Sequence, residues 1–170
     1  MPEEPAGAPL LREFREADAS ALQRVALAAF QQFEARYTDW PAVAAAISRM
    51  PNLAETGEII VAEGDGRIVG GVAYIPAGKP KADYFDRSWP IIRMLVVDPA
   101  ARALGIGRAL TQECVRRARR DGSPIIGLHT TPIMTVALPM YLRMGFTHRR
   151  DVPPIYGVPY AVYTMELSDV

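Results

Sequence analysis

Residues 94–110, MLVVDPAARALGIGRAL, have the composition of a site that binds an anion. The first four residues are apolar and suit a buried strand, which Asp98-Pro99 ends because proline cannot donate a hydrogen bond to a sheet. Gly105 and Gly107 allow a sharp bend and a close approach to the backbone, and a helix is predicted to follow at once. Free N–H groups at the positive end of a helix dipole form a ready site for phosphate.

The amino-acid sequence of this loop excludes two common phosphate-binding motifs. A dinucleotide-binding loop requires a third glycine where Leu110 stands, and an ATP-binding loop requires a Gly-Lys-Ser/Thr run that is missing near here. The pattern present in this loop is Arg102-x-x-Gly105-x-Gly107. By itself this hexapeptide is equally compatible with an ordinary glycine helix cap, so its meaning depends on the rest of the chain.

Composition predicts one globular domain without a strong charged field. The chain has 170 residues, of which 49% are hydrophobic, and its formal net charge is zero. Zero net charge and the lack of a long apolar run argue against nucleic acid or a membrane as partner. The single cysteine, Cys114, fits a reducing cytoplasm. We expect residues 1–9 to form a flexible tail and residues 10–170 a single cytoplasmic domain, and a homodimer is left open.

Hydrophobic periodicity predicts elements in the order β α α β β β α β α β β. This alternation, with hairpins in the middle, favours a mixed α/β sheet over a barrel or a doubly wound nucleotide fold. Gly70-Gly71 predicts a bulge or a close backbone contact, and residues 151–160, with three prolines, are interpreted as a loop. Pro139 requires its helix to begin just before it or to kink. The arginine-rich segment 116–120 is interpreted as a solvated helix end, and arginine-dominated basic residues indicate a GC-rich bacterial genome.

Three further segments match one family beyond the glycine loop. Residues 93–99 precede the loop, His129-Thr130 ends the next predicted strand, and residues 137–146 read ALPMYLRMGF. In this order they resemble the GNAT (GCN5-related) N-acetyltransferases, whose loop is Arg/Gln-x-x-Gly-x-Gly/Ala and whose later signature is Ala-x-x-x-Tyr-x-x-x-Gly-Phe. The resemblance covers residues 10–167. It implies an α+β fold with a mixed, mostly antiparallel sheet of six to seven strands flanked by about four helices.

The resemblance implies acyl-CoA, usually acetyl-CoA, as the acyl donor, bound where the predicted strands 94–97 and 124–129 diverge. Unpaired backbone groups in such a gap can pair with the amide-rich pantetheine arm. The cofactor-binding residues that the resemblance implies are Leu95, Val96, Val97, Arg102, Ala103, Leu104, Gly105, Ile106, Gly107, Arg108, Ala109 and Tyr141.

The resemblance also implies direct transfer of the acyl group to the amine of a small molecule or peptide, without a metal. Tyr141 holds the family's tyrosine position, so we expect it to protonate the departing thiolate. The base is not carried over, because Ile91 or Ile92 stands where many members have Glu, and Met134 where many have Asn. That departure keeps open an alternative, a non-catalytic acyl-CoA sensor of the same fold.

His129 is one substitute for the missing base, because its unperturbed pKa of about 6.5 suits proton transfer. Weaker candidates are a water chain and the carboxylates Asp83, Asp86 and Glu63. Aromatic residues of the first two helices, loop 76–88 and loop 151–160 are expected to frame the amine, although core packing explains them equally well. They favour a small, partly apolar amine or a cation held against ring faces. These expected acceptor-binding residues are Phe33, Tyr37, Tyr84, Trp89 and Tyr156.

Overall fold

The computed structural model describes residues 9–167, which form a seven-stranded sheet with helices on both faces. The strands are β1 (Leu10–Glu13), β2 (Glu58–Gly64), β3 (Arg67–Ile75), β4 (Ile91–Val97), β5 (Ile125–Thr130), β6 (Thr147–Ile155) and β7 (Val158–Glu166). The α-helices are α1 (Ala19–Gln31), α2 (Trp40–Ser48), α3 (Ile106–Arg120) and α4 (Ala137–Met144). The spatial strand order is β1-β2-β3-β4-β5-β7-β6. The predicted element order and fold class are confirmed. Of the predicted tail, residues 1–9, all but Pro9 lie outside the described range.

Alternating side chains divide the sheet between two hydrophobic cores. Ile59 and Val61 of β2 point to the face covered by α1 and α2, whereas Ile60 points to the face covered by α3. The predicted inward positions Leu110 and Cys114 of α3 are fully buried there. Each helix therefore packs its apolar face, whose residues recur with a period of 3.6, against side chains that alternate along the strands with a period of two. None of the described helices is long and apolar enough to cross a membrane.

Strands β4 and β5 diverge along their length and leave an opening in the sheet. They are parallel neighbours with one register pair, Ile91 with Gly127. A bulge in β4 lies opposite Val72, and Met94 within it has φ = 58°. The bulge bends β4 and interrupts its pairing. The predicted irregularity at Gly70-Gly71 is thus real in the β3–β4 ladder, but the extra residue belongs to β4.

Residues 151–160 form a hairpin, so their interpretation as a loop is wrong. Strand β6 continues to Ile155 and β7 begins at Val158, with Tyr156 and Gly157 between them at φ = 43° and 79°. Two consecutive positive φ angles give the turn geometry that matches the twist of paired strands. The prolines 153 and 154 are tolerated because β6 lies at the edge of the sheet, where a missing N–H leaves no partner unpaired.

The end of α3 is also more buried than predicted. Arg117 is 5% exposed, and its guanidinium pairs with Glu58 at 2.9 Å, with Glu113 at 3.1 Å and with Glu13. These contacts tie α3 to β2 and β1, so the interpretation of a solvated helix end is wrong for this residue. Helix α4 begins two residues before Pro139, in agreement with the first of the two alternatives. Proline is tolerated there because N–H groups of the first turn have no partner within the helix.

Candidate active site

A groove of about 560 Å³ runs from Leu95 and Val97 of β4 to the N-terminus of α3, with residues of α1 and α4 along its sides. It brings together most of the residues predicted to bind the cofactor. Those that line it are Leu95, Val97, Arg102, Ala103, Gly105, Ile106, Gly107 and Arg108. Four predicted residues do not line it: Val96 is buried in the core, Leu104 is 63% exposed, Ala109 lies within α3, and Tyr141 lines a neighbouring cavity.

The loop before α3 presents backbone N–H groups to this groove. Gly105 adopts φ = 73° as the residue that precedes the helix, a conformation that glycine takes without steric cost. The first bond of the helix runs from the N–H of Ala109 to the carbonyl of Gly105, at 3.0 Å. The N–H groups of Ile106, Gly107 and Arg108 therefore have no partner within the helix. Such groups at the positive end of a helix dipole bind anions.

Side chains around this loop add to its fit for an elongated anion. Arg102, Arg108 and Arg143 line the groove and supply three guanidinium groups. A Cβ added to Gly107 would project between Leu95 and Met140, at 3.7–3.8 Å from each. The missing side chain thus keeps the floor of the groove open. A narrow, apolar channel that ends in cations and free N–H groups suits a long molecule with a phosphorylated end.

A second cavity, of about 460 Å³, lies beside the groove. Phe30, Leu95, Met134 and Ala137 line both spaces, so the two meet at these residues. Three of the five residues predicted to bind the acceptor, Tyr37, Tyr84 and Tyr156, line this cavity.

Two of the residues predicted to bind the acceptor lie elsewhere. Phe33 lines the groove instead of the cavity. Trp89 lines neither space, because its side chain is 8% exposed and packed in the core, with the Arg149 guanidinium 5.1 Å from its ring centre. The core-packing explanation therefore accounts for Trp89.

Tyr141 of α4 faces the cavity near the junction with the groove. Its side chain is 5% exposed, and its ring packs edge-on against Phe146 at 5.7 Å. Burial raises the pKa of the hydroxyl, so the group keeps its proton at neutral pH. Tyr141 therefore carries a proton at the wall of the cavity, and its role as a proton donor stays a prediction.

His129, at the end of β5, sits within a set of aromatic rings. The ring centres of Tyr160, Tyr84 and Phe85 lie 5.3, 5.5 and 5.7 Å from that of His129. Desolvation, together with the positive charge of Arg93, lowers the pKa of His129 from 6.5 to about 4. This environment makes the imidazole less basic than that of a free histidine, and the role of His129 as a base stays a prediction. The imidazole is neutral at pH 7, able to accept a hydrogen bond but a weak proton base.

Two hydroxyl groups close one side of the cavity. The oxygen atoms of Tyr37 and Tyr160 lie 2.5 Å apart, and burial raises the pKa of both phenols. The N–H of Thr38 donates to the carbonyl of Tyr156 at 2.9 Å. These bonds join the segment before α2 to the β6–β7 hairpin, which places Tyr156 on the cavity wall.

No carboxylate lines the cavity within residues 9–167. Ile92 occupies the wall in the strand where many relatives carry Glu, and Met134 accepts a hydrogen bond from the Thr130 hydroxyl at 3.5 Å. Of the weaker base candidates, Glu63 pairs with Arg12 at 2.8 Å and Asp86 accepts from the Ser88 hydroxyl. Asp83, the third, lines neither space.

Arg49, Asn52 and Arg93 also line the cavity and were not predicted from the sequence. The sequence could have indicated Arg93 as a site residue, because it is the single charged residue in the otherwise apolar strand Ile91–Val97. It could not have indicated Arg49 and Asn52, since cations and amides are ordinary at the end of a helix such as α2.

The sequence of this chain is similar to one family model and to curated proteins. The model of the acetyltransferase (GNAT) family matches residues 19–146. Mycothiol acetyltransferase from Cellulomonas flavigena is 35% identical over 109 residues, which cover 60% of this chain and 30% of that protein. The mycothiol acetyltransferase of Sanguibacter keddieii is 36% identical over 95 residues, covering 55% of this chain and 29% of that protein. The chain therefore spans less than a third of the length of these curated relatives.

Solved structures share the fold over nearly the whole chain. A GNAT-family acetyltransferase from Staphylococcus aureus Mu50 superposes with a TM-score of 0.73 and 20% identity, covering 95% of this chain and all of that one. The yncA protein of Salmonella typhimurium, solved with its cofactor acetyl-CoA, gives a TM-score of 0.68 and 19% identity, covering 96% of each chain. The family match over most of the sequence agrees with the observed fold, and the chain belongs to the acetyltransferase (GNAT) family.

Proposed function

We propose that this chain transfers an acetyl group from acetyl-CoA directly to the amine of a small molecule or peptide. The observation that carries this proposal is the junction of two spaces of different character. The groove ends in cations and free N–H groups, and the cavity is lined by aromatic residues. They meet at Leu95 and Met134, beside Tyr141. A donor and an acceptor bound on the two sides would bring their reacting ends together there.

The residues of the groove fit acetyl-CoA. The loop N–H groups and the guanidiniums of Arg102 and Arg108 would hold the pyrophosphate, as charge-assisted hydrogen bonds require. The backbone of β4 around Leu95, which lacks pairing to β5, would bind the amides of the pantetheine arm as an added strand does. When bound, acetyl-CoA supplies a thioester whose carbonyl carbon is open to attack by a neutral amine.

The cavity handles the protons of this reaction without a carboxylate. The charge of Arg93 disfavours a protonated amine nearby, because like charges raise the energy of the charged form. As the nitrogen–carbon bond forms and the carbon–sulfur bond breaks, the amine proton passes to water or to the neutral imidazole of His129. Tyr141 donates its proton to the thiolate sulfur, and the phenolate left behind takes a proton back from water. Because the pKa of His129 is about 4, we expect it to relay the proton onward rather than keep it.

A covalent acetyl-enzyme on a cysteine is disfavoured by the position of the thiol. Cys114 is fully buried on α3 and lines neither the groove nor the cavity. Burial also raises the pKa of its thiol, so the nucleophilic thiolate is not formed at neutral pH. Direct transfer between the two bound substrates needs no such group.

A second candidate function is an acyl-CoA sensor that binds the donor without turnover. One observation favours it: no Asp or Glu among the described residues lines the cavity to act as a base. A sensor and an enzyme share the groove, so donor binding alone does not separate them.

Release of free CoA thiol from acetyl-CoA, measured against a panel of amines, separates the two functions. The panel should contain small apolar amines, amino acids, polyamines, aminoglycosides and short peptides. Transfer predicts amine-dependent thiol release together with the N-acetylated product by mass spectrometry. Thermal stabilisation by acetyl-CoA but not by ATP, with no amine-dependent release across the panel, would instead support the sensor.

A further inference from the structure

The charged groups that line the acceptor cavity are all of one sign. Arg49 at the end of α2 and Arg93 on β4 line it, and the Asn52 amide adds a further donor. No Asp or Glu within residues 9–167 balances them. A cavity that selected a cationic acceptor would need the opposite sign, so the earlier expectation of a cation held against the ring faces is not favoured by this lining.

Neither of these two arginines has a carboxylate partner within the described range, in contrast to the ion-paired Arg12, Arg116, Arg117 and Arg120. Arg12 pairs with Asp18 and Glu63, and Arg117 pairs with three glutamates. The guanidiniums of Arg49 and Arg93 make no ion pair with residues 9–167, although both reach the cavity. Their donors are therefore available to a bound molecule.

Arg93 lies close to the aromatic part of the cavity. It lines the same cavity as His129 and Tyr84, and its positive charge is one cause of the lowered pKa of His129. An arginine in this position can form two parallel hydrogen bonds with a carboxylate. The remaining wall is aromatic and aliphatic, and it suits an apolar side chain.

We propose that the acceptor is an amine that also carries a carboxylate, such as an amino acid with an apolar side chain, and that Arg93 and Arg49 bind this carboxylate. The inference rests on the proposed function, because it names the substrate class of the same cavity. Pairing of the carboxylate with the arginines holds the amine toward the junction with the groove. The same two charges reject amines that lack an acidic group.

Matched pairs of ligands test the carboxylate directly. Equilibrium binding to the whole chain in the presence of CoA is measured for phenylalanine and phenethylamine, and for leucine and 3-methylbutylamine. We expect the acid of each pair to bind at least about tenfold more tightly, the scale of a charge-assisted contact. Raising the salt concentration should reduce this preference, because the cavity is open to solvent.

Three variants assign the preference to the named residues. Arg93→Gln and Arg49→Gln keep hydrogen-bond donors but remove the charge, and each should lower the preference for the acid severalfold or more. Arg119→Gln, at an exposed position on α3 outside both spaces, should leave it unchanged. Equal binding within each pair, weaker binding of the acids, or no binding of the acids would overturn the inference.

Thiol release measured on the same pairs keeps the two proposals distinguishable. Preferential binding of the acids without thiol release would contradict acetyl transfer and leave the carboxylate site standing. Equal release with the acids and with their decarboxylated partners, accompanied by equal binding, would leave acetyl transfer standing and remove the carboxylate site.

Discussion

The backbones of Ile91 and Gly127 form the single register pair between β4 and β5 in residues 9–167. The N–H of Gly127 also donates to the carbonyl of Pro90 at 3.0 Å, which closes the gap at that end. Beyond this pair the strands separate, so Leu95 borders the groove and His129 borders the cavity. The local loss of pairing thus opens the cavity between the two strands, and the cavity meets the groove at Leu95.

Tyr141→Phe removes the proposed proton donor with little change in volume. We expect turnover to fall by about a hundredfold, because a thiolate that leaves without a proton is a poorer leaving group. The affinity for acetyl-CoA should stay nearly the same, since the hydroxyl faces the cavity and not the loop. Steady-state kinetics and calorimetric titration with acetyl-CoA measure the two quantities.

Tyr163→Phe is the matched control for this substitution. Tyr163 is equally buried, at 8% exposed, but it packs against His148 and lines neither space. Its variant should retain wild-type turnover. Unchanged turnover in Tyr141→Phe would remove Tyr141 from the mechanism.

The titration of His129 can be observed directly, because the chain has two histidines. In His148→Gln, the remaining imidazole signal in proton NMR reports His129 alone. We expect its midpoint near the pKa of about 4, and Arg93→Gln in the same background should raise the midpoint because one positive charge is removed. A midpoint near 6.5 in the folded protein would show that the aromatic set does not desolvate the ring.

The same shift predicts how stability depends on pH. The pKa of His129 is about 4 in the folded chain and about 6.5 when unfolded, so between these values the unfolded state binds more protons. The free energy of unfolding should therefore rise as the pH increases from about 4 to about 6.5, by up to about 3 kcal/mol from this residue. Urea unfolding of the wild type and His129→Gln, compared across this range, measures the contribution. Equal slopes for the two proteins would contradict it.

The turn at Gly157 is predicted to control the acceptor site. Gly157 has φ = 79°, and a Cβ there would lie 2.6 Å from Cγ2 of Thr38, so Gly157→Ala should displace the turn that carries Tyr156. We expect the KM for the amine to rise severalfold and the KM for acetyl-CoA to stay constant. Gly66→Ala is the control, since Gly66 has a similar φ of 75° with open space around it. Both variants should lose about 1 kcal/mol of stability, and an equal effect of both on the amine KM would refute the coupling.

The buried ion cluster at the end of α3 is predicted to be structural. Arg117→Met keeps the aliphatic part of the side chain but removes the guanidinium, which leaves Glu13, Glu58 and Glu113 without one partner each, so we expect a loss of about 3 kcal/mol. Arg116→Met removes an ion pair whose arginine is 61% exposed, and should cost less than about 1 kcal/mol. Urea unfolding measures both free energies. Similar losses for the two variants would show that burial of Arg117 has no special weight.

The element order followed from the sequence because helical and strand periods are local. Gly105 before α3 and Gly145 after α4 likewise mark turns that depend on their own positive φ angles. The β6–β7 hairpin was not predicted, because local sequence does not show where a strand lies in the sheet. Prolines 153 and 154 indicate a loop when considered alone, and the edge position that accommodates them is a tertiary fact.

The candidate site was predictable only in part. The groove loop is one continuous segment, so its residues could be named in advance. The pKa of His129 depends on burial beside Tyr84 and Tyr160, which are distant in sequence, and the cationic cavity depends on Arg49 and Arg93 lining it from different elements. Such properties arise from juxtaposition, which hydrophobic periodicity does not encode.

Direct transfer is tested most closely in a single turnover with acetyl-CoA labelled in its acetyl group and an amine accepted in the thiol-release panel. The proposed function predicts that the label moves to the amine nitrogen in step with CoA release, and that precipitated protein carries no label at any time. Donor bound at the groove with no label reaching any amine, or label held on the protein before it reaches the amine, would contradict it.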